Sequence, residues 1–308
     1  MTGQDLVLVA AAAVWGAASG TLLPRAAYRF SAPAGEPWRT ACPADHPLGG
    51  WLGRARCAAC ATAGAAPDAP CAPAQDVPRA PAQDVPRAPA PDVPRAPAQA
   101  GAPEPAAEDG TEPDPGDPRP PASGPRAAHG PRTAPLAVAT ALVCAALAGA
   151  TGTRPELVVW LLLAPVGVLL AAVDFRVQRL PDPLTLPFAA AALALLGGAA
   201  LLPEHAGDWL TALYASLALG AGYFVLFLVN PGGMGFGDVK LALGTGAVLG
   251  WYGWPTVLLG TFAGFLLGAL YGGALVVVRR AGRKTAIAFG PFLIAGAFAA
   301  LLVGAYTA

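Results

Sequence analysis

Two aspartates stand where an apolar chain has little use for charge. Asp174 directly follows the run LVVWLLLAPVGVLLAAV (157–173), and Asp238 closes the tetrapeptide GFGD ahead of another apolar stretch. A carboxylate at such an edge can simply cap the helix beside it, where backbone N–H groups lack partners. A pair can do more. Two carboxylates held close together cannot both ionise cheaply, so one keeps a proton while the other acts as a base. The ionised member takes a proton from water and the protonated one polarises a carbonyl, which hydrolyses an amide without a metal or covalent nucleophile. Gly232, Gly233, Gly235 and Gly237 would let the backbone approach an extended peptide or carry Asp238 toward Asp174. Asp182, in RLPDP, is the rival for the first role, and Lys240 reads as an interfacial anchor that snorkels, with Asp238 or a lipid phosphate as its alternative partners.

The cysteines form a second constellation. CAAC places Cys57 and Cys60 two residues apart, a spacing at which two thiolates chelate one tetrahedral ion such as zinc. Upstream, CPADH offers Cys42 together with Asp45 or His46 in place of a second cysteine pair. Cys144 lies within an apolar run and reads as a small hydrophobic residue.

Something must hold these groups, and the composition says in what solvent. Of 308 residues, 55% are hydrophobic and 12% charged, with a formal net charge of zero. Soluble domains carry about 25% charged residues, so lipid is the main solvent here. No basic stripe with interleaved aromatics is present, so no nucleic-acid partner is expected. Eight stretches approach the length of a membrane span, about 20 residues: 5–23, 134–152, 157–173, 184–202, 209–230, 240–253, 255–278 and 285–305. The first lacks a preceding positive charge and is expected to be a retained helix rather than a signal peptide. With both ends outside, Arg25, Arg29, Arg54, Arg56, Arg176, Arg179, Arg279, Arg280, Arg283 and Lys284 fall in the cytoplasm, while Arg154, Glu204 and Asp208 fall opposite. That asymmetry follows the positive-inside rule and puts Asp174 and Asp238 at one cytoplasmic membrane boundary. Trp251 and Trp254 suit an aromatic belt at the outer face.

The fold expected is therefore an all-α polytopic membrane protein of about eight transmembrane helices, with a disordered Pro/Ala-rich cytoplasmic insert. Its parts are a first helix (1–23), a cysteine-bearing loop (24–60), a linker (61–133) and a membrane domain (134–308). In the linker, APAQDVPR at 72–79 and 80–87 and APAPDVPR at 88–95 repeat with too little apolar surface to fold.

At these motifs the chain resembles the prepilin peptidases (type IV leader peptidases), of the GxGD class of intramembrane aspartyl proteases. DFRVQRLPDPLTLP resembles the family's first aspartate motif, GFGDVKLALGTGAVLGW its second, and AFGPFLIAGA (288–297) its Phe-Gly-Pro-Phe segment. The resemblance implies Asp174 and Asp238 as the catalytic pair, with Gly235, Gly237, Lys240 and Asp182 in supporting or substrate-loop roles. It implies a multi-pass protein of the bacterial cytoplasmic membrane. The substrate implied is a prepilin or prepilin-like protein, whose leader is cut at the cytoplasmic face during type IV pilus assembly or protein secretion. The peptidase needs no cofactor. Many members also N-methylate the new N-terminus, using S-adenosylmethionine and the cysteine loop. Here CPAD replaces the first cysteine pair, so zinc at Cys42, Cys57 and Cys60 and the methyl donor enter only if that loop's function is retained. Two other readings of the chain are an inactive membrane scaffold and a small transporter; the latter would place ionisable groups near the midplane.

Overall fold

The computed structural model describes residues 3–33, 35–63, 131–231, 234–278 and 288–308. The expected linker lies almost wholly outside the described residues, as do Gly232 and Gly233. Among the described residues the regular elements are all helices: α1 (Gly3–Phe30), α2 (Ala58–Ala63), α3 (Thr133–Thr151), α4 (Glu156–Val177), α5 (Asp182–Ala199), α6 (Trp209–Val229), α7 (Phe236–Gly250), α8 (Trp254–Val277) and α9 (Gly290–Thr307). Among the described residues, seven of these are long and apolar enough to cross a membrane. The sixth expected span, α7, has only 15 residues. It is buried along most of its length between α5, α6 and α9, so it meets protein rather than lipid and need not match the bilayer thickness.

Helices in lipid gain nothing by hiding apolar surface from water, so close backbone approach decides which of them pair. Three glycine pairs at four-residue spacing do this. Gly16 and Gly20 lay α1 on α3: a methyl group added at Gly16 would come 2.5 Å from the Thr140 carbonyl oxygen, and one at Gly20 2.7 Å from the Ala137 Cα. Gly246 and Gly250 bring α7 against Ala212, Ala215 and Ser216 of α6, and Gly260 and Gly264 bring α8 against Gly296 of α9. The helix pairs α1–α3, α6–α7 and α8–α9 are the main packing units; α4 joins the first to the third by touching α1, α3 and α9, and α5 links α4 to α6–α7.

Two departures from the sequence reading have clear causes. The first helix runs seven residues past the expected end at 23, to Phe30. Its arginines make this extension: Arg25 donates to the Gly49 carbonyl at 2.6 Å and Arg29 to the Gly50 carbonyl at 2.6 Å, so the loop 48–53 folds over them. Trp251 is not a belt residue. It is 1% exposed and stacks edge-on with His205, while Trp254 is exposed as expected.

Pro165 breaks the hydrogen-bond ladder of α4, since a proline has no N–H to give the Leu161 carbonyl. The Trp15 indole N–H, from α1, supplies that bond at 2.9 Å. Lipid could not have done so.

Candidate active site

The two motif aspartates arrive on different helices. α4 continues past the apolar run, so Asp174 lies in its last turn; Gln178 then takes a left-handed conformation, φ 50°, and ends the helix. α7 begins at Phe236, so Asp238 lies in its first turn. Both side chains are buried, with 4% and 6% exposure. Their carboxyl groups lie near enough to interact electrostatically through space. The Gly235 N–H donates to Oδ2 of Asp238 at 3.1 Å, so this residue also caps its helix as the simpler reading supposed.

The third motif completes the site. The Gly290 N–H, at the start of α9, hydrogen-bonds to the Asp174 carboxylate. A Cβ on Gly290 would lie 2.6 Å from Oδ2 of Asp174, so glycine there is a requirement of space. Gly237 is held tightly for a similar reason: an added Cβ would be 2.8 Å from the Cβ of Leu180. Leu180 thus wedges between the starts of α7 and α9, a role that no spacing in the sequence signals. The glycines of the second motif serve close approach at 237 more than looseness.

Asp182 is not a member of the buried pair. It is 62% exposed and forms an ion pair with Lys240 at 2.7 Å. Lys240 also lies over the Phe236 ring, 4.9 Å from its centroid. The expectation of a snorkelling anchor gives way to a clasp that ties the start of α7 to the start of α5. A further residue escaped the sequence reading. Tyr223 of α6 is 1% exposed, packs on Phe265 and Phe289, and its hydroxyl has no hydrogen-bond partner among the described residues.

These positions, and the order in which they occur, can be compared with known proteins. Residues 160–273 match the type IV leader peptidase family. That region holds Asp174, Asp182 and Asp238, while Gly290 and the cysteines lie outside it. Relatives named prepilin leader peptidase/N-methyltransferase share the similarity. One from Aeromonas salmonicida is 38% identical over 152 residues, covering 47% of this chain and 48% of its own. One from Aeromonas hydrophila is 38% identical over 181 residues, 56% of each chain, and one from Pseudomonas aeruginosa 33% over 187 residues, 58% and 61%. The chain spans about half the length of the first two leader peptidase relatives. No solved structure matches it.

Away from the leader peptidase motifs, Cys42, His46, Cys57 and Cys60 form a cluster whose ligand atoms all lie within 4.8 Å of one another. His46, rather than Asp45, is the upstream partner. The spacing suits a metal. Zinc with bonds of about 2.3 Å to sulfur and 2.0–2.1 Å to nitrogen puts tetrahedral sulfurs about 3.8 Å apart, and sulfur and nitrogen about 3.5 Å apart. Here the Cys42 and Cys60 sulfurs are 3.7 Å apart, and His46 Nδ1 is 3.6 and 3.3 Å from them. The Ala44 N–H points at the Cys42 sulfur, 3.4 Å away, as an outer hydrogen bond to a ligand thiolate would. Without an ion, burial and the neighbouring thiols push the Cys60 thiol up to about 12. Burial acts the same way on Cys57, but hydrogen bonds from Cys60, Cys42 and the Ala59 backbone together outweigh it and draw that thiol below its ordinary value.

Proposed function

We propose that this chain is an aspartyl endopeptidase that removes the leader of a prepilin or prepilin-like protein. One observation carries the reading: two buried carboxyl groups, from the two motifs, interact at one end of the helical bundle. The buried pair holds one proton between its members. The ionised carboxylate deprotonates a water, the protonated one donates to the scissile carbonyl, and the amide nitrogen leaves with a proton returned by the first. The Gly290 N–H fixes the orientation of Asp174, and the Gly235 N–H that of Asp238. The arginines near the dyad end support a cytoplasmic position for it by the positive-inside rule. A transporter reading finds no support in a carboxyl pair at one end of the bundle.

Asp174→Asn and Asp238→Asn should each abolish cleavage of a co-expressed prepilin, while Asp182→Asn retains a measurable fraction of it. Intact mass of the product reads the cut directly. Cleavage surviving in the Asp174 and Asp238 variants would sink the aspartyl mechanism.

The cysteine cluster is proposed to hold zinc, with Cys42, Cys57, Cys60 and His46 as ligands and a structural role for the loop. Four protein ligands fill a tetrahedral ion and leave no open position for a reacting group. N-methylation, which the relatives' names include, would show as about fourteen further mass units on the same product and a dependence on S-adenosylmethionine.

A further inference from the structure

The Tyr223 hydroxyl is buried and has no hydrogen-bond partner among the described residues. A hydroxyl left unpaired in an apolar setting costs a protein stability, and phenylalanine would fill the same space without that cost. The other buried side-chain atoms in this condition among the described residues lie elsewhere. They belong to Arg25 and Arg29, or to Thr151, Arg154, Glu156 and Trp251 at the ends of α4 and α7 remote from the aspartates.

Helix register brings Tyr223 to the dyad. α6 and α7 pack antiparallel: a methyl group added at Gly250 would meet Ala212, one at Gly246 would meet Ala215 and Ser216, and one at Gly220 would meet Leu243. Tyr223 lies three residues beyond Gly220 on the same buried face, level with the turn of α7 that holds Asp238 and Val239. The Tyr223 hydroxyl and the Asp238 carboxyl are near enough to interact through space, although no hydrogen bond joins them. The ring itself is clamped, its centroid 5.7 Å from that of Phe265 on α8 and 6.1 Å from that of Phe289. Phe289 directly precedes Gly290, whose N–H bonds to Asp174. The phenol thus stands between the starts of α7 and α9, the two places that orient the aspartates, on a ring packed from two sides.

We propose that Tyr223 is a further catalytic residue, whose O–H donates to the scissile carbonyl oxygen of the substrate as negative charge develops there. The proposal rests on the peptidase reading above. The hydroxyl is unpaired in the resting enzyme because its acceptor arrives with the substrate. As water attacks the carbonyl carbon, the π electrons move onto the oxygen, whose lone pairs then accept from two donors, the protonated aspartate and Tyr223. The phenol keeps its own proton throughout, and the electrons return to the carbonyl as the C–N bond breaks. A fixed donor in an apolar site stabilises the developing charge more than the neutral amide, so it speeds the chemical step and leaves substrate binding nearly unchanged.

Tyr223→Phe keeps the ring and removes the donor. With the full chain in phosphatidylethanolamine/phosphatidylglycerol vesicles, this variant should lower kcat for a prepilin about 10²-fold, with KM within about threefold of wild type. A peptide difluoroketone spanning the cleavage site, whose hydrate mimics the tetrahedral adduct, should bind the variant more weakly by a similar factor. The unfolding midpoint of the variant should not fall, which separates a lost donor from a damaged fold. A kcat within about threefold of wild type, or a difluoroketone that binds both forms equally, would overturn the proposal. So would a slower variant whose unfolding midpoint drops, since the hydroxyl would then be holding the resting fold. Cleavage that survives Asp174→Asn and Asp238→Asn would instead overturn the peptidase reading, and the role of Tyr223 with it.

Discussion

A methyl group added at Gly290 has nowhere to go, with Oδ2 of Asp174 2.6 Å away and the Leu180 side chain 3.3 Å away. Gly290→Ala must therefore move the carboxyl or the start of α9. A displacement of about 1 Å at a reacting group costs on the order of 10²-fold in rate, so cleavage should fall by about that factor in a chain that still inserts. Gly235→Ala meets nothing closer than 3.5 Å and keeps its N–H bond to Asp238, so cleavage should stay within about threefold of wild type by the same argument. Relative cleavage at matched protein levels checks both. Tyr223→Phe deletes a buried hydroxyl with no hydrogen-bond partner among the described residues, and should raise stability by about 1 kcal/mol in chemical unfolding. Asp174 and Asp238 were legible in the sequence because charge beside a long apolar run is conspicuous. Leu180 and Tyr223 were not, since an apolar residue in a loop and an aromatic in a span look ordinary until their neighbours are known. Asp182 and Lys240 were legible as charges but not as a pair, because their partnership crosses 58 positions of sequence.

Helices were the easiest level to read, because lipid tolerates no unpaired backbone and so demands long apolar runs. The errors fall where protein rather than lipid surrounds the helix. α7 is short because its neighbours cover it, and α1 is long because loop carbonyls accept from its arginines. The four-residue glycine spacing at 16 and 20, 246 and 250, and 260 and 264 was present in the sequence as a general abundance of glycine, but its pairing partners were not. Gly20→Leu should separate α1 from α3 and cost about 1–3 kcal/mol by overpacking, read by unfolding in mixed micelles. Trp15→Phe keeps the bulk and removes the indole N–H, leaving the Leu161 carbonyl open beside Pro165. Its cost should be about 1–2 kcal/mol in the same measurement.

At the scale of the molecule, the loop with the cysteine cluster and the membrane helices hold each other. Arg179, beyond α4, donates to the Pro33 carbonyl at 2.9 Å and stacks on Trp38, while Arg25 and Arg29 anchor the loop to α1. If zinc binds there, Cys60 must give up a proton that the metal-free chain holds up to about pH 12. Zinc uptake should therefore release protons, and apparent affinity should rise with pH by about one log unit for each proton released. Titration of metal-free protein with zinc in weak buffer measures this, and Cys42→Ser should abolish it.

The dyad itself belongs to no helix pair. Asp174 ends α4, Asp238 opens α7, and the bond that steadies Asp174 comes from Gly290 of α9. A ribosome delivers these pieces in that order, with α9 after all the others. A nascent chain thus carries both carboxyl groups well before it carries the backbone that orients them. On the peptidase reading, cleavage must therefore wait until α9 has entered the membrane. A chain ending at Val278 should insert yet cleave nothing, and supplying residues 279–308 as a separate peptide should restore cutting.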